Sequence, residues 1–425
     1  MQTTASEKLL LQRVFSLFTR DDVEGVAILS GYTQRRDRGI PPFEFVLACL
    51  WAATSEARRS FASVWRFLLS AFGIDVARSA VTQRFDQGSA DLMESLFLLA
   101  LERVETPTHP ELLGKLAKFK QVLAHDGSVI QLGAVLKKLC PATRTNSVAA
   151  AAKVHATVDL VHRRIQRVVV TGERESELAV AEQEGIKKGT LHLNDLGYFK
   201  HDYFQAVLLA EADVLSRLKE NSNPVVTHVR HGIVGPVSSV GKKLNDLKYC
   251  RTQETFDLDA TFETSNGSVE LRVVGQYNPE TEKYHCYVTT LKAERFSVME
   301  LVILYTLRWV IELFFKLMKT SLHLDHVDTE NAHAVRTHLY ASLLASVVLT
   351  AVAGAAAEGA KMPLSRISPL VVGIAAPLLA IPLALLWLGQ DVTKATLADL
   401  ILRTISKGCV DQNINRTQDY WGLLS

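Results

Sequence analysis

The stretch FKQVLAHDGSVIQL, residues 119–132, sets the apolar run Val122-Leu123-Ala124 against the polar triplet His125-Asp126-Gly127. A short apolar run closed by a charged residue and a glycine reads as a buried strand stopping at a polar tip, with Asp126 on that tip. Outward from it the pattern repeats with variations. KVHATVDL (153–160) and RIQRVVVTGE (164–173) read as two more strands joined by a turn at Val161-His162-Arg163, and ESELAVAEQEGI (175–186) reads as a helix. TLHLNDLGYF (190–199) is again a strand, ending at Asn194-Asp195-Leu196-Gly197, and a helix follows through residues 200–213. Three strands, helix, strand, helix is an α/β order.

The flanks differ in character. Residues 1 to about 115 carry apolar residues at helical spacing, broken at GIPPFE and FGID. Within them FASVWRFLLSAFGIDVARSAVTQRF (61–85) has the form of a helix, a turn at Gly73 and a second helix displaying Arg78, Ser79, Thr82, Gln83 and Arg84. Two readings stand: a helix-turn-helix that reaches phosphates and base edges, or a plain αα-hairpin. Residues 220–295 contain alternating runs with turn signals at Asn266-Gly267 and Asn278-Pro279, which predicts an antiparallel sheet. Beyond about residue 336 the chain is Ala- and Leu-rich helix with Pro-punctuated joints. The expected division is a helical region 1–115, an α/β region 116–335 and a helical region 336–425.

Bulk composition excludes several classes. A chain of 425 residues with 48% hydrophobic and 22% charged residues is globular and long enough for about two to four domains. Its formal net charge of +2 excludes a protein that holds nucleic acid by bulk charge alone. Local patches remain: Lys137, Lys138, Arg144, Lys153, Arg163, Arg164 and Arg167 face only Asp159, and Arg230, Lys242, Lys243, Lys248 and Arg251 face only Asp246. Five scattered cysteines without a CxxC pair suit a reducing cytoplasm and no zinc finger. LVVGIAAPLLAIPLALLWL (370–388) has the length of a membrane span, yet Gly373, Pro377 and Pro382 interrupt it and no second span partners it. A buried hairpin of short core helices is the expectation.

The segment YTLRWVIELFFKLMKT (305–320) places Tyr305, Arg308, Glu312 and Lys319 among apolar residues. At about 100° per residue, an unbroken helix sets the last three roughly 60°, 20° and 40° from Tyr305, on one stripe. Such a stripe is either a solvated face with intrahelical ion pairs or a carboxylate and two cations presented to an anionic ligand. Asp126 and Asp195 favour the second, because strand tips are where α/β sheets build sites. Three convergent carboxylates are hard oxygen ligands suited to Mg²⁺ or Mn²⁺, and a pair of such ions serves phosphoryl transfer. His192, His201, His323 and His326 lack metalloprotease spacing and read as structural or DNA-facing, and the loop 231–243 lacks the spacing of a phosphate loop.

Asp126-Gly127, NDLGYF around Asp195, VLSRLKEN at 214–221 and Tyr305-x2-Arg308-x3-Glu312-x6-Lys319 together resemble the bacterial insertion-sequence DDE transposases with the Tyr-Arg-Glu-Lys signature, the insertion sequence 4 type. The resemblance covers roughly residues 40–345. It implies an RNase H-like catalytic core with an antiparallel β insertion at about 220–295, flanked by all-α regions. It implies that Asp126, Asp195 and Glu312 hold two Mg²⁺ or Mn²⁺ ions, and that Tyr305, Arg308 and Lys319 hold the transposon end. It further implies a cytoplasmic, nucleoid-associated protein that cuts and rejoins double-stranded DNA at inverted repeats as a homodimer, with no membrane partner. Relatives stack a Trp of the insertion on a flipped base; here the insertion has none, leaving Phe256, Phe262 or Tyr284 as substitutes. The alternatives are an RNase H-like nuclease without strand transfer and a DNA-binding relative without turnover. The filled acidic positions disfavour the latter.

Overall fold

A computed structural model describes residues 4–33, 39–54, 60–104, 114–132, 137, 140–142, 149–161, 164–250, 253–279, 282–316, 318–319, 322, 329, 331–362, 366–388 and 394–410. Lys138, Arg144, Arg163, Arg251, His323 and His326 lie outside the described residues.

Among the described residues six α-helices come first: α1 (Ala5–Leu17), α2 (Arg20–Leu29), α3 (Pro42–Thr54), α4 (Phe61–Phe72), α5 (Arg78–Arg84) and α6 (Gln87–Arg103). Thr4 with Glu7 and Thr19 with Asp22 form capping boxes that start α1 and α2. Gly73 ends α4 at φ 66°, a left-handed conformation that L side chains resist. The expected pair of helices around Gly73 is present, and Ser79, Thr82 and Gln83 are exposed. Arg84 is not displayed. It is 5% exposed, donates to the carbonyls of Tyr32 (3.1 Å) and Ile40 (3.5 Å) and lies over the Tyr32 ring. A long side chain with five donors served those buried carbonyls rather than water. Arg84→Met is therefore expected to lower unfolding free energy by about 1–3 kcal/mol in urea titrations, whereas Thr82→Ala at an exposed position stays within about 0.5 kcal/mol.

The described strands make one nine-stranded mixed sheet. They are β1 (Gln121–Leu132), β2 (Ala150–Asp159), β3 (Arg164–Gly172), β4 (Thr190–Asn194), β5 (Asp213–Arg217), β6 (Val225–His231), β7 (Thr255–Thr264), β8 (Gly267–Asn278) and β9 (Lys283–Thr289). Their spatial order is β3-β2-β1-β4-β5-β9-β8-β7-β6. Only β1–β4 and β4–β5 pair in parallel. The helices α7 (Glu177–Glu184) and α8 (His201–Leu209) supply the crossovers that parallel pairing requires. The strands β6 to β9 are antiparallel, and Gly267 turns β7 into β8 where the Asn266-Gly267 signal predicted it. β9 pairs with β5, so these strands extend the same sheet.

α9 (Pro236–Ser239) is a single turn, and α10 (Val298–Thr306) and α11 (Trp309–Lys316) follow the last strand. The last three α-helices among the described residues are α12 (Ala332–Gly359), α13 (Pro369–Leu388) and α14 (Lys394–Gly408). α12 packs between α1, α3 and α6, and a core cluster runs continuously from Leu10 through the first strands to Cys409. A second cluster lies under α8 and β6–β8.

Residues 370–388 correct the expected hairpin. They belong to one helix, with Pro377 and Pro382 inside it, and Ile374 (65%), Leu378 (73%) and Ile381 (51%) exposed. α12 is a second helix long and apolar enough to span a membrane, contrary to the expectation of one. An 18-residue window of α12 is 94% buried against the rest of the chain, which is the environment of a core helix.

Candidate active site on the mixed sheet

The parallel register of β1 and β4 aligns Ala124 with Leu193. Asp126 and Asp195 each stand two residues beyond that last pair, and the charge of Asp195 acts on Asp126. Asp195 follows the end of β4 as expected, and its Oδ1 accepts the Leu196 N–H (2.6 Å) as a turn begins. Asp126 differs from the expectation: β1 does not stop there but runs on to Leu132. Beyond Ala124 the strand keeps β2 as its partner, with Asp126 opposite Ala156, and has parted from β4. The polar triplet marks where a strand loses one neighbour, and a ladder on its other edge sustains it. Asp126 Oδ1 accepts the Gly127 N–H at 2.8 Å.

The segment 305–320 is not one helix. Leu307 and Arg308 donate to Leu304 and Tyr305 through three-residue bonds of 3.1 Å, and α11 starts only at Trp309. No Gly or Pro causes the break. Three-residue turns eclipse positions i and i+3, and the Arg308 guanidinium accordingly lies 5.5 Å from the centroid of the Tyr305 ring. Arg308 pairs with Glu312. Its charge also acts on Asp126 and on Asp195. Tyr305 is 8% exposed and packs on Tyr287 of β9, and Arg308 acts on its hydroxyl. Lys319 is partly exposed beyond α11; among the described residues no ion pair or hydrogen bond joins it to the other five.

Burial pushes the Asp126 carboxyl up to about 6; the Gly127 N–H and Arg308 oppose the rise, and the negative charges of Glu177 and Asp195 add to it. Burial likewise pushes Tyr305 up to about 12. The donors suit a divalent cation in type: hard carboxylate oxygens around a place already filled by positive charge, the Arg308 guanidinium. They are not drawn together into a cage, since among the described residues no group of three His, Cys, Asp or Glu side chains stands close enough to hold a metal ion. Glu312 faces Arg308 instead.

Beneath the aspartates lies a chain of buried hydrogen bonds. Thr157 Oγ1 meets His125 Nδ1 (3.1 Å), His125 Nε2 meets His192 Nδ1 (3.0 Å), and His192 Nε2 meets Thr190 Oγ1 (2.9 Å). Burial holds both imidazoles neutral, His192 falling to about 4. A neutral ring has one N–H and one acceptor nitrogen, which is what a His–His bond requires. This pair staples β1 to β4 and so fixes the register that brings Asp126 to Asp195; His192 is structural, as expected. His201 binds the Glu263 carbonyl (2.7 Å).

Glu177, on the first turn of α7, is a fourth acid that sequence reasoning passed over, because an acid there looks like ordinary helix-start chemistry. Its carboxylate fills the space beside Gly127 and Gly197, the glycines following Asp126 and Asp195. Two expected base-stacking residues are excluded by burial, Phe256 being 0% and Phe262 2% exposed. Tyr284 is engaged, stacking on Tyr249 and donating to the Gln253 carbonyl at 3.1 Å.

The profile of the family described as "Transposase DDE domain" matches residues 117–348, more than half of the chain. The chain belongs to the DDE transposase family. Members of that family catalyse metal-dependent DNA cleavage and strand transfer. This transposase is 22% identical over 350 residues to the transposase for insertion sequence element IS231F of Bacillus thuringiensis subsp. israelensis, covering 73% of each chain. It is 20% identical over 374 residues to that of IS231C from B. thuringiensis subsp. berliner, covering 80% of this chain and 78% of the relative. It is 21% identical over 312 residues to that of IS1151 from Clostridium perfringens, covering 64% and 66%.

Proposed function

We propose that this transposase binds the inverted-repeat ends of an insertion sequence and moves it by cut-and-paste, with Asp126, Asp195 and Glu312 as its metal-binding catalytic triad. The observation that carries this reading is that Arg308, which pairs with Glu312, also acts by its charge on Asp126 and Asp195. Two Mg²⁺ or Mn²⁺ ions bound there would supply Lewis-acid activation of the attacking oxygen and neutralise the leaving one. Glu312 would exchange its partner Arg308 for the metal. Arg308, with Tyr305 and Lys319, would then hold the phosphate of the transposon end, a guanidinium being a bidentate phosphate donor.

The finer architecture follows the same reading: residues 1–115 as a helical DNA-binding region, 116–335 as an RNase H-like catalytic region, and 336–425 as a helical region. The antiparallel strands at about 220–295 are read as its insertion. A homodimer acting in the cytoplasm on the nucleoid would synapse two ends. Arg230 is exposed, but its charge is already paired with Asp257 (3.2 Å) and Asp259 (2.6 Å). Lys242, Lys243 and Lys248 are exposed. Replacing these three lysines with Ala is expected to reduce the salt dependence of end binding by a slope of about one per lysine, measured by fluorescence anisotropy across salt concentrations.

The test of the whole reading incubates the protein with Mg²⁺ and DNA ending in its element's inverted repeat. Nicking that leaves a 3′-hydroxyl at the end, followed by joining to target DNA, is the expected result. Nicks without joined product would favour a nuclease.

A further inference from the structure

Resting on the transposase reading above, we propose that Arg217, at the tip of β5, is a further DNA-binding residue of this site and grips a phosphodiester of the bound strand together with Arg308 and Tyr305. Its position follows from two ladders. β4 and β5 pair in parallel as far as Asn194 opposite Ser216, and Asp195 and Arg217 are the residues that come next. On its other edge Arg217 stands opposite Tyr287 of β9. The Tyr287 ring lies 5.1 Å from that of Tyr305. Successive strand residues face opposite sides of a sheet, and here Ser216 is buried while Arg217 is exposed.

The guanidinium has no partner of its own. Among the described residues no carboxylate pairs with it and no oxygen accepts a hydrogen bond from it. Arg308, by contrast, pairs with Glu312. The charges of Arg217 and Arg308 both act on the Tyr305 hydroxyl, and so does that of Asp195. Two cations gathered about one tyrosine repel each other, and an anion between them turns that cost into attraction. A phosphodiester fits the place, because its two free oxygens match the paired N–H groups of a guanidinium.

The experiment measures fluorescence anisotropy of the full chain with duplex DNA ending in the inverted repeat, without divalent metal and across salt concentrations. Arg217→Ala is expected to weaken end binding about 10-fold and to lower the salt slope by about one. Its thermal unfolding should match the wild type, as befits an exposed side chain. Arg217→Lys should keep the slope yet recover only part of the affinity, because an ammonium is a point charge and not a fork. Uncharged methylphosphonates placed singly along the end locate the contact: one position should weaken the wild type and leave Arg217→Ala unaffected. Wild-type affinity and slope in Arg217→Ala would overturn the proposal, as would methylphosphonate penalties identical in the two proteins. Lowered unfolding temperature in Arg217→Ala, with full recovery of both stability and affinity in Arg217→Lys, would also overturn it by making the role structural. A wild type that does not prefer the repeat over unrelated duplex would instead remove the end-binding reading on which this one rests.

Discussion

Asp126→Asn, Asp195→Asn and Glu312→Gln are each expected to reduce strand cleavage by about a thousandfold or more, while transposon-end DNA is still bound. Each exchange is nearly isosteric and removes one negative charge from a set that acts as a unit. A double variant should consequently lose little more than a single one. Gel assays of end cleavage, paired with anisotropy for binding, check both halves; near-wild-type cleavage in any of the three would refute the triad. The raised proton affinity of Asp126 adds a pH dependence. The proton and the metal compete for this carboxylate, so the apparent Mg²⁺ affinity should fall as pH drops below about 6.

Stability moves the other way. The folded value lies above the unfolded one, so the folded protein holds this proton more tightly, and its stabilising effect is complete at low pH. It is lost as pH climbs from about 4 to about 6, by an amount on the order of 3 kcal/mol. Asp126→Asn is thus expected to raise the metal-free Tm at neutral pH by a few degrees while abolishing activity. Calorimetry at pH 5 and pH 7 would show a gain at pH 5 of roughly half that at pH 7. Equal gains at both would mean that desolvation of the carboxylate is not its source.

The site was legible in the sequence to the extent that its residues carry chemistry rather than geometry. Asp126, Asp195, Arg308 and Glu312 stand out as charges in apolar company; in the structure Arg308 pairs with Glu312 and its charge acts on both aspartates. What periodicity could not reveal was set by tertiary partners. β1 continues through Asp126 because β2 supplies a ladder from a distant part of the chain. The turn at Leu307-Arg308 has no breaker residue to announce it. Arg84 was read as displayed because an arginine at a helix end is usually solvated, yet two buried carbonyls claim it. Glu177 lies against two glycines far away in sequence, and no local pattern encodes that.

Arg272→Met is expected to destabilise the protein by about 3–5 kcal/mol, the cost of breaking a buried ion pair from one side. Arg272 of β8 and Asp257 of β7 are each 5% exposed and joined by two parallel bonds, Nε to Oδ1 at 2.9 Å and Nη2 to Oδ2 at 2.7 Å. The remaining Nη1 donates to the carbonyls of Leu291 (3.2 Å) and Phe296 (2.7 Å). Removing the guanidinium strands a buried carboxylate, which keeps only Arg230, and leaves both carbonyls short of a donor. Asp257→Leu alone strands the cation instead and should cost a similar amount. The double variant Arg272→Met/Asp257→Leu should recover much of either loss, because no isolated charge is left. Urea unfolding of the four proteins measures that coupling, and additive losses would show that the pair is not the source. The location makes the effect more than global. Phe296 precedes Ser297, whose capping box with Glu300 starts α10, the helix that leads into Tyr305 and Arg308. Arg272 therefore ties the antiparallel strands to the entrance of the segment that faces the aspartates. Amide exchange in α10 should accelerate in Arg272→Met under conditions where the exchange of β1 is unchanged. That pattern would place the loss at the joint between strands and helix rather than in the sheet.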